Sequence, residues 1–123
     1  IGPARNNKAI NEGLDNAPPF EGANTVASGL RVPSAIGDFL ILKSIRDSNG
    51  YALAVSDDAL LKGVTSLGKT EGVFAAPEAG ATVAALEKLL KNGQILKDEQ
   101  IVLFITGSGI KYVDVFTSSE KVS

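Results

Sequence analysis

The sequence predicts an α/β chain, part of a doubly wound, mostly parallel sheet domain flanked by helices. Two short runs, YALAV (51–55) and IVLFIT (101–106), are apolar throughout, the composition of strands covered on both faces. Segments with helical apolar spacing and turn residues at their ends lie beside and between them, and strands alternating with such helices imply parallel β/α units. Three or four short strands and three helices cannot close both faces and both edges of such a sheet, so the chain reads as part of a larger domain.

The first 24 residues are rich in Asn, Gly and Pro and read as an irregular lead-in. KAINEGL has the makings of a short helix, which Asn16-Ala17-Pro18-Pro19 stops, because proline cannot donate and restricts the residue before it. TVASGLRV (25–32) reads as a short strand or extended loop broken at Ser28-Gly29. Pro33 then suits a helix start, since the N–H it lacks is unpaired there anyway.

Residues 34–47 carry Ile36, Phe39, Leu40, Leu42 and Ile45 as a broad apolar stripe at helical spacing. Asn49 or Gly50 can take the left-handed position that ends this helix. After the YALAV strand, Ser56 is a plausible N-cap, with Asp57 and Asp58 in the first turn where carboxylates favour the helix dipole. Leu60, Val64 and Leu67 then fall at i, i+4 and i+7, which predicts a second helix.

Glu71-Gly72-Val73-Phe74 reads as a brief extended passage, and Pro77-Glu78 opens a third helix. Over 79–92 this helix carries Val83, Leu86, Leu89 and Leu90 on one face, and Glu87 and Lys91 are spaced as an i, i+4 pair. Asn92-Gly93 closes it. IVLFIT is the strongest strand candidate, KYVDVF (111–116) alternates like a final edge strand, and 117–123 reads as a frayed tail. Residues 25–116 therefore form the α/β portion.

The composition excludes whole classes of chemistry. The chain contains neither His nor Cys, which removes Ser-His-Asp and Cys-His sites, zinc held by imidazole or thiolate, and disulfides. No metal site is expected. A net charge of −2 points away from nucleic acid and anionic membranes. No apolar run approaches the length of a membrane span, and the N-terminal residues lack the apolar core of a signal peptide, so a cytoplasmic location is expected. Without Met, and opening on Ile-Gly-Pro, the chain is expected to be a piece of something longer.

One turn stands out. Thr106-Gly107-Ser108-Gly109 follows the strongest strand candidate, and open α/β sheets bind ligands at the carboxyl ends of their strands. Its spacing is neither a Walker motif nor GxGxxG, so a ligand contact and a plain strand-to-helix turn both remain open. Glu71 precedes Gly72 and an apolar pair, and reads either as a site carboxylate or as a solvated loop residue. Ala79, Gly80 and Ala81 at a helix start suit an anion or, better, close packing. Lys43 sits within an apolar helix and is expected to reach the surface.

In order, TVASGLRVPSAIGDFLILKSIRDSNGYALAVSD, EGVFAAPEAGATVAALEKLLKNG and VLFITGSGIK resemble the threonine synthases. More broadly they resemble the fold-type II pyridoxal-phosphate enzymes that share the tryptophan-synthase β-subunit fold. The resemblance implies two α/β domains with the cofactor between them, and conversion of O-phosphohomoserine and water to threonine and phosphate. It implies that Thr106, with Gly107 beside it, hydrogen-bonds the pyridine nitrogen of the cofactor. A neutral hydroxyl there, unlike a carboxylate, leaves that nitrogen largely unprotonated. The same resemblance places Glu71 and Gly72 in a loop near the ring and Ser28 and Gly29 at the substrate pocket.

Two family elements have no counterpart here: the Lys-Asp motif with the Schiff-base lysine and the Gly-rich run for the phosphate. Both belong upstream in the family, so the resemblance implies the C-terminal portion of the large cofactor domain, inactive alone and without a catalytic residue of its own. The expected partners are a small-molecule substrate and the missing N-terminal part, with room for a homo-oligomer. Two other readings stay open: a fragment of a threonine dehydratase or cysteate synthase, and a non-catalytic module that binds a small ligand or a protein.

Overall fold

The computed structural model describes residues 8–19, 22, 24–32 and 36–119 of the 123. Pro33, the far N-terminal lead-in and the last residues of the expected tail lie outside them. The chain divides into two compact units, residues 1–54 and 55–123. Among the described residues no helix is long and apolar enough to cross a membrane.

In the first unit a helical turn over residues 8–11 and a loop lead to a 3-10 turn, Ser28–Leu30, and then to α1, Asp38–Asp47. The 25–32 segment is thus a turn at its centre rather than a strand, closed by Leu30 N–H donating to Ala27 O at 2.9 Å. The core of this unit is small: Ala9, Ala17 and Leu42 are buried, with Ile10 packed against them. Of the predicted stripe on α1, only Leu42 is fully covered, and Ile36, Phe39 and Leu40 stand exposed. The helix has more apolar surface than this unit covers. Asn49 takes the left-handed conformation after α1, with φ 51°, as the cap requires. Lys43 is exposed and pairs with Asp47 one turn on, the surface outcome expected of it.

Asp38 ties the loop to the helix. Its carboxylate is buried, accepting from Ala17 N–H at 2.9 Å and from Phe39 N–H at 2.7 Å. Arg46, near the other end of α1, donates to Leu14 O at 2.6 Å and lies 3.8 Å from the Asp15 carboxylate. Residues 14–17 are therefore pinned at both ends of one helix.

The second unit is built on a packed pair of fifteen-residue helices, α2 (Asp57–Glu71) and α3 (Pro77–Lys91). Ser56 caps α2 as its position predicts, its hydroxyl accepting from Ala59 N–H at 3.3 Å. Gly72 ends α2 in the left-handed conformation, φ 67°. Glu71 is consequently the last helical residue, not part of an extended passage. Pro77 occupies the first turn of α3, and Gly93, φ 69°, follows its end. Leu60, Val64, Ala79, Gly80 and Ala84 make the buried seam. Its small residues, Gly63 against Gly80 above all, bring the backbones into contact, so the Ala79-Gly80 run serves packing as expected.

The expected strands do not form a sheet here. Residues 51–55 and 101–106 carry no β-ladder, and within the described residues the pairing is a single antiparallel bridge, Ala75 to Ser108. The 101–106 run is apolar yet uncovered: Val102 is 78% exposed and Phe104 77%. KYVDVF corrects the edge-strand expectation outright. It forms the end of a 3-10 turn, Gly109–Tyr112, and the body of α4, Val113–Ser119. Tyr112, Val115 and Phe116 are half-buried at helical spacing, and the adjacent apolar pairs Tyr112-Val113 and Val115-Phe116 break a strand's alternation.

Candidate functional site around Thr106

The Thr106–Gly109 turn is fixed against the link between α2 and α3. Ala76 N–H donates to Gly107 O and Gly109 N–H donates to Phe74 O, each at 2.9 Å. These two bonds set the segment after Gly72 antiparallel to the segment after Thr106. Ala75, Ala76 and Pro77 are buried behind them. The structure therefore joins the stretch that follows Glu71-Gly72 to the stretch that follows Thr106, two places the sequence singled out separately.

The approach is close at both glycines of the turn, and closest at Gly109. A Cβ on Gly107 would meet the Ala76 methyl at 3.2 Å, and one on Gly109 would meet the Phe74 ring at 2.6 Å. The Phe74 ring in turn packs on Phe116 of α4, centroids 5.2 Å apart and planes tilted by 54°. Tyr112 Oη donates to Glu78 Oε1 at 2.9 Å, linking the end of the turn to the start of α3.

The two hydroxyls of the turn separate by role. Ser108 Oγ accepts from Ile110 N–H at 3.3 Å and so caps the 3-10 turn. Thr106 is exposed, and its hydroxyl has no partner among the described residues. The plain-turn reading accounts for Ser108, and the exposed Thr106 fits either of the alternatives left open by spacing.

Glu71 is exposed at the end of α2 and Gly72 shapes the turn that follows it. Ser28 and Gly29 are exposed in the 3-10 turn of the first unit and are placed within that unit alone. All eight described lysines are exposed, the ninth being Lys121 outside the described residues.

Sequence reasoning missed Phe74, Glu78 and Tyr112. The Gly109 position was a usable signal for Phe74, since a glycine after a capped serine invites a close neighbour. Glu78 and Tyr112 are 34 residues apart, and no local pattern announces their bond.

The family model for pyridoxal-phosphate dependent enzymes matches residues 3–107. Among curated proteins the chain is similar to the threonine synthase of Methanocaldococcus jannaschii, 35% identical over 96 residues. That alignment covers 78% of this chain and 24% of the relative. It is also similar to the threonine synthase of Methanosarcina acetivorans, 36% identical over 104 residues, covering 85% of this chain and 26% of that protein. A Bacillus threonine synthase is 33% identical over 103 residues, covering 84% and 29%. The chain thus spans about a quarter of the length of the curated relatives it matches.

Proposed function

The chain belongs to the pyridoxal-phosphate dependent enzymes, an α/β family, and from that premise we propose that it is the C-terminal part of a threonine synthase. The whole enzyme would form threonine and phosphate from O-phosphohomoserine and water. The single observation that carries the site reading is Thr106: an exposed hydroxyl, without a partner among the described residues, on a turn whose backbone is held at Gly107 and Gly109.

The cofactor, when bound, supplies the electron sink of the replacement reaction. What this chain supplies is a donor for one edge of that group. The Thr106 hydroxyl is neutral, and a ring nitrogen is an acceptor, so one hydrogen bond orients the ring without placing a charge beside it. Gly107 lets the backbone lie flat against Ala76, keeping that hydroxyl at the end of the apolar 101–105 run. Gly72 turns the chain out of α2 so that residues 73–76 can back the Thr106 turn. Glu71 and, in the other unit, Ser28-Gly29 are proposed to face the cofactor ring and the substrate respectively. The lysine that carries the cofactor and the phosphate-binding glycines would come from the remaining three-quarters of the enzyme.

The exposed 101–105 run supports the same reading. Five apolar residues without a ladder partner have the composition of an interior strand of a parallel sheet. In the whole enzyme, strands from outside residues 25–116 would flank it, and helices would cover Val102 and Phe104. Residues 25–116 would then belong to the large cofactor domain, with 1–24 as lead-in and 117–123 as its tail.

Turnover by the full-length protein carrying these residues tests the assignment. Phosphate release from O-phosphohomoserine, with threonine and O-phosphoserine left unchanged, is the expected result. Preference for threonine would make it a dehydratase, and preference for O-phosphoserine a cysteate synthase.

A further inference from the structure

Thr106 can orient a ring only if the turn that presents it holds still. That turn contains Gly107 and Gly109, the residues with the greatest backbone freedom, and two main-chain bonds secure its near side. On its far side the 3-10 turn Gly109–Tyr112 ends at a tyrosine whose hydroxyl donates to Glu78 Oε1 at 2.9 Å. Both side chains are half-buried, which removes competing water and sharpens the bond. Glu78 stands in the first turn of α3, where the helix dipole favours a carboxylate, and α3 is packed backbone to backbone on α2. The acceptor is therefore mounted on a closely packed helix pair.

We propose that Tyr112 and Glu78 are positioning residues for Thr106: their hydrogen bond clamps the far end of the Thr106–Tyr112 segment to the start of α3. With Ala76 holding Gly107 and Phe74 holding Gly109, the clamp gives the segment a third fixed point. A hydroxyl aimed at a ring nitrogen loses most of its bond when misdirected by tens of degrees. The Tyr112–Glu78 bond thus acts on the cofactor only through Thr106. This rests on the ring-nitrogen reading of Thr106.

The test uses the full-length protein carrying these residues and needs no added cofactor. Amide exchange at Ala76 and Gly109 and the NMR order of the Thr106 methyl are compared in Tyr112→Phe, Glu78→Ala and Glu78→Gln. Tyr112→Phe and Glu78→Ala are expected to speed exchange at both amides about fivefold and to lower Thr106 methyl order, with the central amides of α2 and α3 unchanged. Glu78→Gln keeps an oxygen acceptor and is expected to preserve both readouts. Unchanged amides and methyl order in Tyr112→Phe overturn the clamp, and so does faster exchange spread evenly over α2 and α3. If Tyr112→Phe does not fold, the Glu78 pair decides: Gln like the parent and Ala loosened supports the clamp, and equal behaviour overturns it. Failure of the ring-nitrogen reading looks different, with normal turnover in Thr106→Val beside a loosened turn in Tyr112→Phe.

Discussion

Gly63 of α2 and Gly80 of α3 meet so closely that neither position has room for a methyl group. A Cβ on Gly63 would run into the Gly80 carbonyl oxygen, and one on Gly80 into the Leu60 carbonyl oxygen, with the Val64 side chain 2.7 Å away. The obstacles are backbone, so no rotamer change relieves them. This crossing sets the spacing of the two helices that carry the Thr106 site.

Gly63→Ala and Gly80→Ala are each expected to destabilise the chain by about 1–3 kcal/mol, overpacking outweighing the better helix propensity of alanine. Gly68 is the internal control: its Cβ would meet only the Val73 carbonyl, at an ordinary 3.9 Å. Gly68→Ala should stabilise by about 0.5–1 kcal/mol. Urea midpoints of the three variants give the comparison, and a stable Gly80→Ala would refute the crossing.

Gly109 and Phe74 are expected to be coupled. Gly109→Ala places a methyl 2.6–2.7 Å from the ring and should cost about 1–3 kcal/mol. In a Phe74→Ala background the same change should cost much less, because the obstacle is gone. A double-mutant cycle in urea measures the interaction, and additive effects would mean that ring and turn are independent.

Asp38 carries the loop of the first unit, because its two oxygens satisfy the Ala17 and Phe39 amides. Asp38→Ala leaves both without this acceptor and should destabilise that unit by about 1–3 kcal/mol. Asp38→Asn keeps one acceptor and turns an NH2 toward the other donor, so it should also destabilise, by less. Faster amide exchange at Ala17 is the local readout, and unchanged protection there would remove Asp38 from this role.

Much of this architecture was legible from local signals. Ser56, Pro77 and Asn92-Gly93 marked ends of α2 and α3 because caps act through neighbouring residues. Strand pairing is not local. The apolar 101–106 run identified a segment that wants covering, but a ladder needs a second strand at the right place, and the described residues contain none. KYVDVF is helical because Tyr112, Val115 and Phe116 satisfy i, i+3, i+4, whereas its apolar pairs at 112–113 and 115–116 satisfy a strand's alternation only in part. In the site, Thr106 was visible as a hydroxyl between an apolar run and a glycine. Its separation from Ser108 became clear only from the Ile110 amide, and the Tyr112–Glu78 bond only from tertiary structure.

The uncovered run makes its own prediction for the chain studied alone. Val102 and Phe104 should bind a hydrophobic dye such as ANS and promote concentration-dependent association, as unprotected apolar strands do. Val102→Lys with Phe104→Lys should abolish most of both effects in the chain. In the full-length enzyme the same pair should be severely destabilising, because there it would bury two charges. Tolerance of the pair in the full-length enzyme would contradict an interior position.

Phosphate release from O-phosphohomoserine by the full-length protein carrying Thr106→Val tests the central claim most directly. Valine keeps the shape and removes the donor. The predicted result is a fall in turnover of about tenfold or more, with the fold intact and substrate affinity little changed. Turnover equal to that of the unsubstituted enzyme would contradict the assignment of Thr106 to the cofactor ring.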